Sequence, residues 1–346
     1  MDRDAVWRFM ERFVDMAAGT ATIFTLAVAD RSGLLGALSE SNPLTVDELV
    51  EQTGLQRRYV EEILHQLTTA RVLHYEPDTG TFTLPAEHAT VIADDASPYA
   101  MTGWLDMLPT AGMFIDDVAE AVRTGGGVHA SRYPDLMVRA VDRANAPGTR
   151  ILLTRRWLPA MPDVVARLEE GARVADVGCG SGTAAVTMAA AYPKSEFFGY
   201  DVDPRAVEAA RAAEVGNAHF EVLSADSIPT DPPFDLVTAF DVVHDLADPA
   251  AALRRIRQAL APDGVFLMME PAVESALEDN IEPRVALLYG VSVLFCMTQS
   301  LAAGGPGLGT AWGPARAEEL CREAGFTRFR RLPIDNPFSA FFEVKP

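Results

Sequence analysis

The chain has 346 residues, 49% of them hydrophobic and 23% charged, and its 49 acidic against 29 basic side chains give a formal net charge of -20. This composition belongs to a folded globular protein and excludes a disordered or collagen-like chain, while a length above the roughly 250 to 300 residues at which single cores stop growing predicts two domains. So acidic a surface repels phosphate backbones and anionic bilayers, which argues against nucleic acid and membrane as partners.

The N-terminal "MDRDAVWRFMERF" carries charges of both signs within its apolar pattern and lacks the uninterrupted apolar core of an export signal. Residues 1 to about 95 read as short helices closed by a hairpin. Thr45 stands three residues before Glu48, a capping-box spacing, and Gly54 follows as a stop signal. In "YVEEILHQLTTARVL" the apolar Val60, Ile63, Leu64 and Leu67 recur at three and four residues and mark one buried helix face. "PDTG" then places a turn between two strand-like runs. Helices followed by such a two-stranded wing predict a winged helix. Its third helix offers Arg57, Arg58, Arg71 and His65 against Glu61 and Glu62, which is not the basic face that DNA contact needs. The apolar first helix, with Trp7, Phe9, Phe13, Ile23 and Phe24, points instead to dimerisation, and a homodimer built largely by residues 1 to about 110 is expected.

Residues 96–170 read as a helical connector that contains a flexible "TGGGVHA" and a helix "RRWLPAMPDVVARLEEG". Its Met101, Trp104, Met107 and Phe114 suit either an apolar acceptor pocket or plain core. From Arg173 onward strands and helices alternate: "RVADVG", "SEFFGYD", "AHFEVLSAD", "FDLVTAFD" and "GVFLMME" are separated by helical segments, the pattern of a parallel sheet covered on both faces. The run from Val285, "VALLYGVSVLFCMTQSLAAG", is interrupted by Ser292 and closed by Thr298, Gln299 and Ser300, so a buried helix is expected rather than a bilayer span. At the end "FTRFRRLP" and "FSAFFEVK" are separated only by "IDNP", which requires antiparallel neighbours at the sheet edge.

The glycine turn of "RVADVGCGSGTAAV" follows the first strand of that sheet, where ligands sit in open parallel sheets. Gly178, Gly180 and Gly182 permit close backbone approach, and the next helix offers free N–H groups to a negative group. The spacing G-x-G-x-G departs from the dinucleotide fingerprint, with Thr183 at the third glycine's place. Asp201 ends the second strand 19 residues beyond Gly182, placed to accept from both ribose hydroxyls, and Asp226 ends the third, placed to accept from an adenine amino group.

These features resemble the class I S-adenosylmethionine-dependent methyltransferases, over Arg173 to Pro346 in order. The resemblance implies a seven-stranded Rossmann-like sheet with an antiparallel C-terminal hairpin, an α/β domain at 171–346 behind an N-terminal all-α winged-helix domain at 1–95. It implies S-adenosylmethionine as cofactor, with Asp176, Gly178, Gly180, Gly182, Asp201, Val202, Asp226, Ser227 and Phe240 holding it. Asp176 would then support the loop or the cofactor's ammonium group.

A narrower resemblance concerns the chemistry. "FDVVHDLADP" is similar to the "HDW-x-D" segment of winged-helix small-molecule O-methyltransferases, in which the histidine deprotonates the acceptor hydroxyl. This implies His244 as general base beside Asp245, and "WLPAM" similarly implies Trp157 and Met161 near the acceptor. Two departures stand out: the region matching the family's orienting glutamate reads "AAGGPGLGTAWG" without an acid, and Phe240 replaces a basic residue. As a whole the chain is similar to a bacterial branch of winged-helix methyltransferases. An unperturbed histidine titrates near pH 6.5, so a neutral imidazole is expected at pH 7, with its second nitrogen lacking an obvious partner. A structural His244, an N- or C-methyltransferase working by positioning alone, and a cofactor-sensing regulator that keeps its winged helix for DNA stand as alternatives.

Three cysteines, Cys179, Cys296 and Cys321, and six histidines show no ligand spacing, so the sequence predicts reduced thiols, a cytoplasmic location and no metal.

Overall fold

The computed structural model describes residues 1–346. Asp2 caps the first helix by accepting from the N–H groups of Asp4 and Ala5, and α1 then runs from Arg3 to Arg31 with only Leu26, Ala27 and Ala29 buried. Helices α2 (Leu34–Glu40), α3 (Val46–Thr53) and α4 (Arg57–Thr69) follow. The expected capping box opens α3, with Thr45 Oγ1 accepting from the Glu48 N–H and Glu48 Oε2 accepting from the Thr45 N–H, and Gly54 closes it in the left-handed region. Val60, Leu64 and Leu67 of α4 are buried, as their spacing predicts, while Ile63 is partly so. The wing is β1 (His74–Glu76) paired antiparallel with β2 (Thr81–Thr83), and Leu44 bridges to Phe82 on its other side.

Helices α5 (Ala86–Ile92), α6 (Thr102–Gly112), α7 (Ile115–Thr124), α8 (Asp135–Leu152) and α9 (Pro162–Glu170) carry the chain to the sheet. Two units result: Met1–Thr110 with Arg139–Pro147, and Ala111–Val138 with Gly148–Pro346. The helical segment expected as one connector is therefore divided, because residues 139–147 of α8 pack in the first unit. Arg143 explains this: its guanidinium binds Asp30 at 2.6 Å, Asp95 at 2.9 Å and Asp106 at 3.3 Å.

The second unit is built on β3 (Arg173–Val177), α10 (Thr183–Ala191), β4 (Glu196–Asp201), α11 (Pro204–Arg211), β5 (Ala218–Val222), β6 (Phe234–Phe240), α12 (Pro249–Ala259) and β7 (Leu260–Pro271). Then come α13 (Pro283–Val291), α14 (Met297–Ala302), α15 (Gly313–Glu323), β8 (Arg328–Arg331) and β9 (Ser339–Lys345). The seven strands lie in the order β5-β4-β3-β6-β7-β9-β8, parallel from β5 to β7 and antiparallel at β9 and β8. The order reverses at β3, so the turn after it opens the crevice at the carboxyl edge of the sheet.

Alternation along β7 divides the core in two. Phe266 and Met268 face a cluster with α12 and α15, while Val265, Leu267 and Met269 face one with α9 and α10. Both faces are covered, as continuous apolar strands require.

The run from Val285 forms α13 and α14, joined by one π turn over Ser292–Cys296. It packs by one face: Val285, Leu288 and Cys296 are buried, and Tyr289 and Val293 are exposed. By length and apolarity both this helix and α1 are sufficient to cross a bilayer. Its buried polar groups are tied to the second unit, since Thr298 Oγ1 accepts from the Val128 N–H and Leu294 carbonyl accepts from the Tyr133 hydroxyl.

Candidate active site

The turn between β3 and α10 is held from β4. The Gly178 and Cys179 N–H groups both donate to the Tyr200 carbonyl, at 2.8 and 3.1 Å, and the Gly180 N–H donates to Asp201 Oδ2 at 2.9 Å. Gly178 (φ +66°) could carry no Cβ, which would stand 2.6 Å from the methyls of Val242, whereas a Cβ on Gly180 (φ +53°) would meet nothing within 4 Å. One glycine is thus required by packing and conformation, the other by conformation alone beside open space.

Asp201 is the pivot of this edge. Its Oδ1 accepts from the Asp203 N–H at 2.8 Å, and a carboxylate, with about four lone-pair sites, keeps acceptor capacity beyond its backbone donors for a ligand hydroxyl. Burial raises its pKa against those backbone hydrogen bonds. Asp176, 2% exposed, is more deeply placed: burial pushes its pKa up to about 7, opposed by the Thr238 hydroxyl that donates to Oδ1 at 2.6 Å. Asp226 is exposed, accepts from the Ser227 hydroxyl at 2.9 Å, and is held below the usual carboxylate range by the Ser224 and Ser227 hydrogen bonds. Val202 is exposed beside Asp201, and Phe240 ends β6 partly buried. The Cys179 thiol is raised by burial and is no thiolate.

A second group lies at the ends of β6 and β7. Asp241 follows β6 with φ +63°, an uncommon conformation for a residue with a side chain, and the single 3-10 turn Val243–Asp245 carries His244 inward to 1% exposure. His244 Nδ1 stands 2.7 Å from Glu270 Oε2, the Val243 N–H donates to Glu270 Oε1 at 2.9 Å, and the Trp312 indole N–H donates to Glu270 Oε2 at 3.0 Å. Glu270 therefore supplies the acid missing from "AAGGPGLGTAWG", and the expectation that the ring's second nitrogen lacks a partner is corrected. The pairing of Phe240 with Met269 sets Glu270 one residue beyond the end of β6, within reach of the turn.

The other ring nitrogen, Nε2, faces Asp245 Oδ1 at 3.4 Å, and the Cys296 sulfur completes a set whose donor atoms lie within 4.8 Å of one another. Burial disfavours a charged ring, but Asp245 and Glu270, with Cys296, outweigh it and raise the His244 pKa well above the ordinary value. The expectation of a neutral imidazole took the unperturbed value, and here the two carboxylates shift the ring's pKa upward from it. Burial also raises Asp245, whose Oδ2 accepts from Gln299 at 3.1 Å, and pushes the Cys296 thiol up to about 12.

Trp157 and Met161, expected near the acceptor, are buried side chains. Both belong to the apolar cluster behind the sheet, 3% and 2% exposed, with the Trp157 ring 4.8 Å from Phe341 and 6.0 Å from Phe240. Phe240, the cofactor-site candidate at the end of β6, packs against the same cluster. Met101, Trp104 and Met107 lie in the first unit and Phe114 in the second.

Residues 168–302 match the family model described as a methyltransferase domain, and residues 20–94 match a Rv2258c-like winged HTH domain. The trans-aconitate 2-methyltransferase of Methylobacterium nodulans is 35% identical over 122 residues, covering 35% of this chain and 44% of that protein. A ubiquinone biosynthesis O-methyltransferase of Neisseria meningitidis is 29% identical over 164 residues, covering 45% and 63%. The matched stretch thus spans less than two thirds of either relative. In fold, human N-acetylserotonin methyltransferase in complex with SAM is similar along 98% of this chain and 97% of its own, with TM-score 0.71 and 20% identity. An O-methyltransferase family protein from Burkholderia thailandensis is similar along 97% and 98%, with TM-score 0.70 and 16% identity.

Proposed function

We propose that this chain, a class I S-adenosylmethionine-dependent methyltransferase domain joined to an N-terminal winged HTH domain, moves a methyl group from S-adenosylmethionine to an oxygen of a small-molecule acceptor. The observation that carries the reading is Asp201, which ends the second strand of the sheet and is tied to the glycine turn through Gly180 at 2.9 Å. The donor set fits the cofactor: a carboxylate with acceptor capacity to spare, an exposed second carboxylate at Asp226, and open space at Gly180. Bound there, S-adenosylmethionine supplies a sulfonium-activated methyl group. On this reading Asp176, Gly178, Gly182, Val202, Ser227 and Phe240 complete the set.

The oxygen assignment rests on His244. Glu270 fixes Nδ1 at 2.7 Å and so sets the ring orientation, and once the ring has given up its Nε2 proton to solvent, Nε2 is the nitrogen that receives the acceptor's proton. Asp245, adjacent to that nitrogen, stabilises the ring once protonated. The remaining work is alignment and exclusion of water, to which the buried setting of the turn contributes.

The N-terminal unit is read as a dimerisation module. Trp7, Phe9, Phe13 and Phe24 of α1 are all between 47% and 63% exposed, a large apolar face for a helix of a lone chain. On α4, Arg57 pairs with Asp47 and Arg58 with Glu62, which leaves little free positive charge for a phosphate backbone. Buried thiols at Cys179, Cys296 and Cys321 suit a cytoplasmic setting.

The test is methyl transfer from isotopically labelled S-adenosylmethionine to a panel of hydroxylated aromatic and aliphatic acceptors, with the products identified by nuclear magnetic resonance. Methoxy products support the reading. Exclusive N- or C-methylation would remove the oxygen assignment and with it the base role of His244.

A further inference from the structure

The sequence spacing gives no metal motif, yet the fold gathers a buried histidine, a partly buried carboxylate and a buried thiol from positions 244, 245 and 296 into one group. Two of its donor atoms, His244 Nε2 and Asp245 Oδ1, are buried with no hydrogen-bond partner. Buried polar atoms are rarely left so, and each such case asks for an explanation. We propose that His244 Nε2, Asp245 Oδ1 and Cys296 Sγ form a binding site for a divalent cation of the zinc class.

Three observations carry this. Zinc–nitrogen and zinc–oxygen bonds of about 2.0 to 2.2 Å in tetrahedral geometry put neighbouring donor atoms about 3.3 to 3.6 Å apart, and Nε2 and Oδ1 stand 3.4 Å apart. Imidazole nitrogen, carboxylate oxygen and thiolate sulfur are each ligands that zinc takes, and three of them leave a fourth position for solvent or ligand. The outer contacts are those of a metal-ligating histidine, whose other ring nitrogen is held by a carboxylate: Glu270 binds Nδ1 at 2.7 Å and is itself fixed by Val243 and Trp312. Gln299 donates to the second oxygen of Asp245, which orients the first toward the same point. The π turn over Ser292–Cys296 places the sulfur, and such turns occur frequently at functional sites.

Binding replaces the proton on Nε2 and the thiol proton of Cys296, both released to solvent, while Asp245 enters as carboxylate. A metal there also withdraws Nε2 from proton transfer, so occupancy is inhibitory. That consequence alone rests on the methyl-transfer reading. The site does not.

The experiment is titration of the full-length, chelator-treated protein with Co²⁺ as a spectroscopic stand-in for zinc. One equivalent should bind with the visible bands of tetrahedral cobalt and a near-ultraviolet thiolate-to-cobalt charge-transfer band, and Zn²⁺ should bleach both. Cys296→Ser, with folding checked by circular dichroism, should abolish the charge-transfer band. Glu270→Gln should keep the band and weaken binding about 10- to 100-fold. Absence of saturable cobalt binding by the folded wild-type protein overturns the proposal, as does a charge-transfer band that persists in Cys296→Ser. S-adenosylmethionine binding measured on the same metal-free preparation reports separately on the methyl-transfer reading.

Discussion

Glu270 Oε2 lies 2.7 Å from His244 Nδ1, and both side chains are at most 2% exposed. The contact joins the turn after β6 to the end of β7, and it engages Nδ1, so that in the proposed reaction Nε2 is the nitrogen left for chemistry. Removing the imidazole by His244→Ala should lower turnover with an oxygen acceptor by about 100- to 10,000-fold. Glu270→Gln, which keeps the shape but loses the charge, should lower kcat by a smaller factor. In both variants the cofactor Kd should stay within a few-fold of wild type, because the loss falls on the chemical step. A histidine that only supports the fold would instead lower the melting temperature and leave turnover per folded molecule intact.

Asp176 gives a pH dependence with a definite sign. Its folded pKa is raised from 3.8 to about 7, chiefly by burial. The neutral form is therefore favoured by folding, and its contribution is fully present below about pH 4 and is lost as pH rises through 7. The slope is about 1.4 kcal/mol per pH unit in that window. Asp176→Asn should flatten the dependence between pH 4 and 7 and melt higher than wild type at pH 8, as followed by calorimetric scans. A variant no more stable than wild type at pH 8 would show that the carboxylate is held charged without cost. If the cofactor's ammonium pairs with Asp176, cofactor binding at pH 6 should also release a proton, detectable by titration in buffers of different ionisation enthalpy.

The two glycines of the turn should respond differently to alanine. Gly178→Ala meets both a positive φ and the Val242 methyls at 2.6 Å, so a loss of about 2 to 4 kcal/mol in stability is expected from denaturant titration. Gly180→Ala meets only the conformational cost, about 1 to 2 kcal/mol, but its methyl enters the space beside Asp201. Its main effect should be on cofactor affinity. Equal stability losses with unchanged affinity would place the ligand away from Gly180.

What the sequence disclosed and what it hid follow from how local each feature is. The glycine turn and Asp201 each sit at the end of a strand, so strand-turn-helix patterning locates them without tertiary knowledge, whereas Asp226, expected to end the third strand, lies four residues beyond the end of β5 at Val222 because the backbone leaves the sheet earlier than the apolar pattern suggests. Glu270 also ends an apolar strand, in "FLMMEP", but its role depends on the pairing of β7 with β6, which no local pattern encodes. A lone carboxylate closing a buried strand was the available signal. Cys296 is 52 residues from His244 and reaches it only through the packing of α13 and α14 on the turn. Trp157 and Met161 carry less information, because an aromatic and a methionine four residues apart read alike in a core and in a pocket. The C-terminal hairpin was legible as a hairpin, whereas the insertion of β9 between β7 and β8 was not, since the order of strands is fixed by the sheet as a whole.

The exposed apolar face of α1 predicts self-association. Light scattering at micromolar concentration should give a homodimer, and the double substitution Phe9→Glu with Phe13→Glu should shift it toward monomer while the melting of the methyltransferase domain changes little, because both positions are about 60% exposed. A wild-type monomer would contradict the dimerisation role. A mobility shift of double-stranded DNA at low salt would point instead to a DNA-reading winged helix.

The central claim is that S-adenosylmethionine binds at the glycine turn through Asp201. Isothermal titration calorimetry of the full chain, wild type against Asp201→Ala, tests it most directly. One site per chain is predicted, with affinity about 10- to 150-fold weaker in the variant, corresponding to the loss of about 1.5 to 3 kcal/mol for hydrogen bonds to a charged group. No saturable binding by the wild type, or an affinity unchanged by the loss of Asp201, would contradict the account.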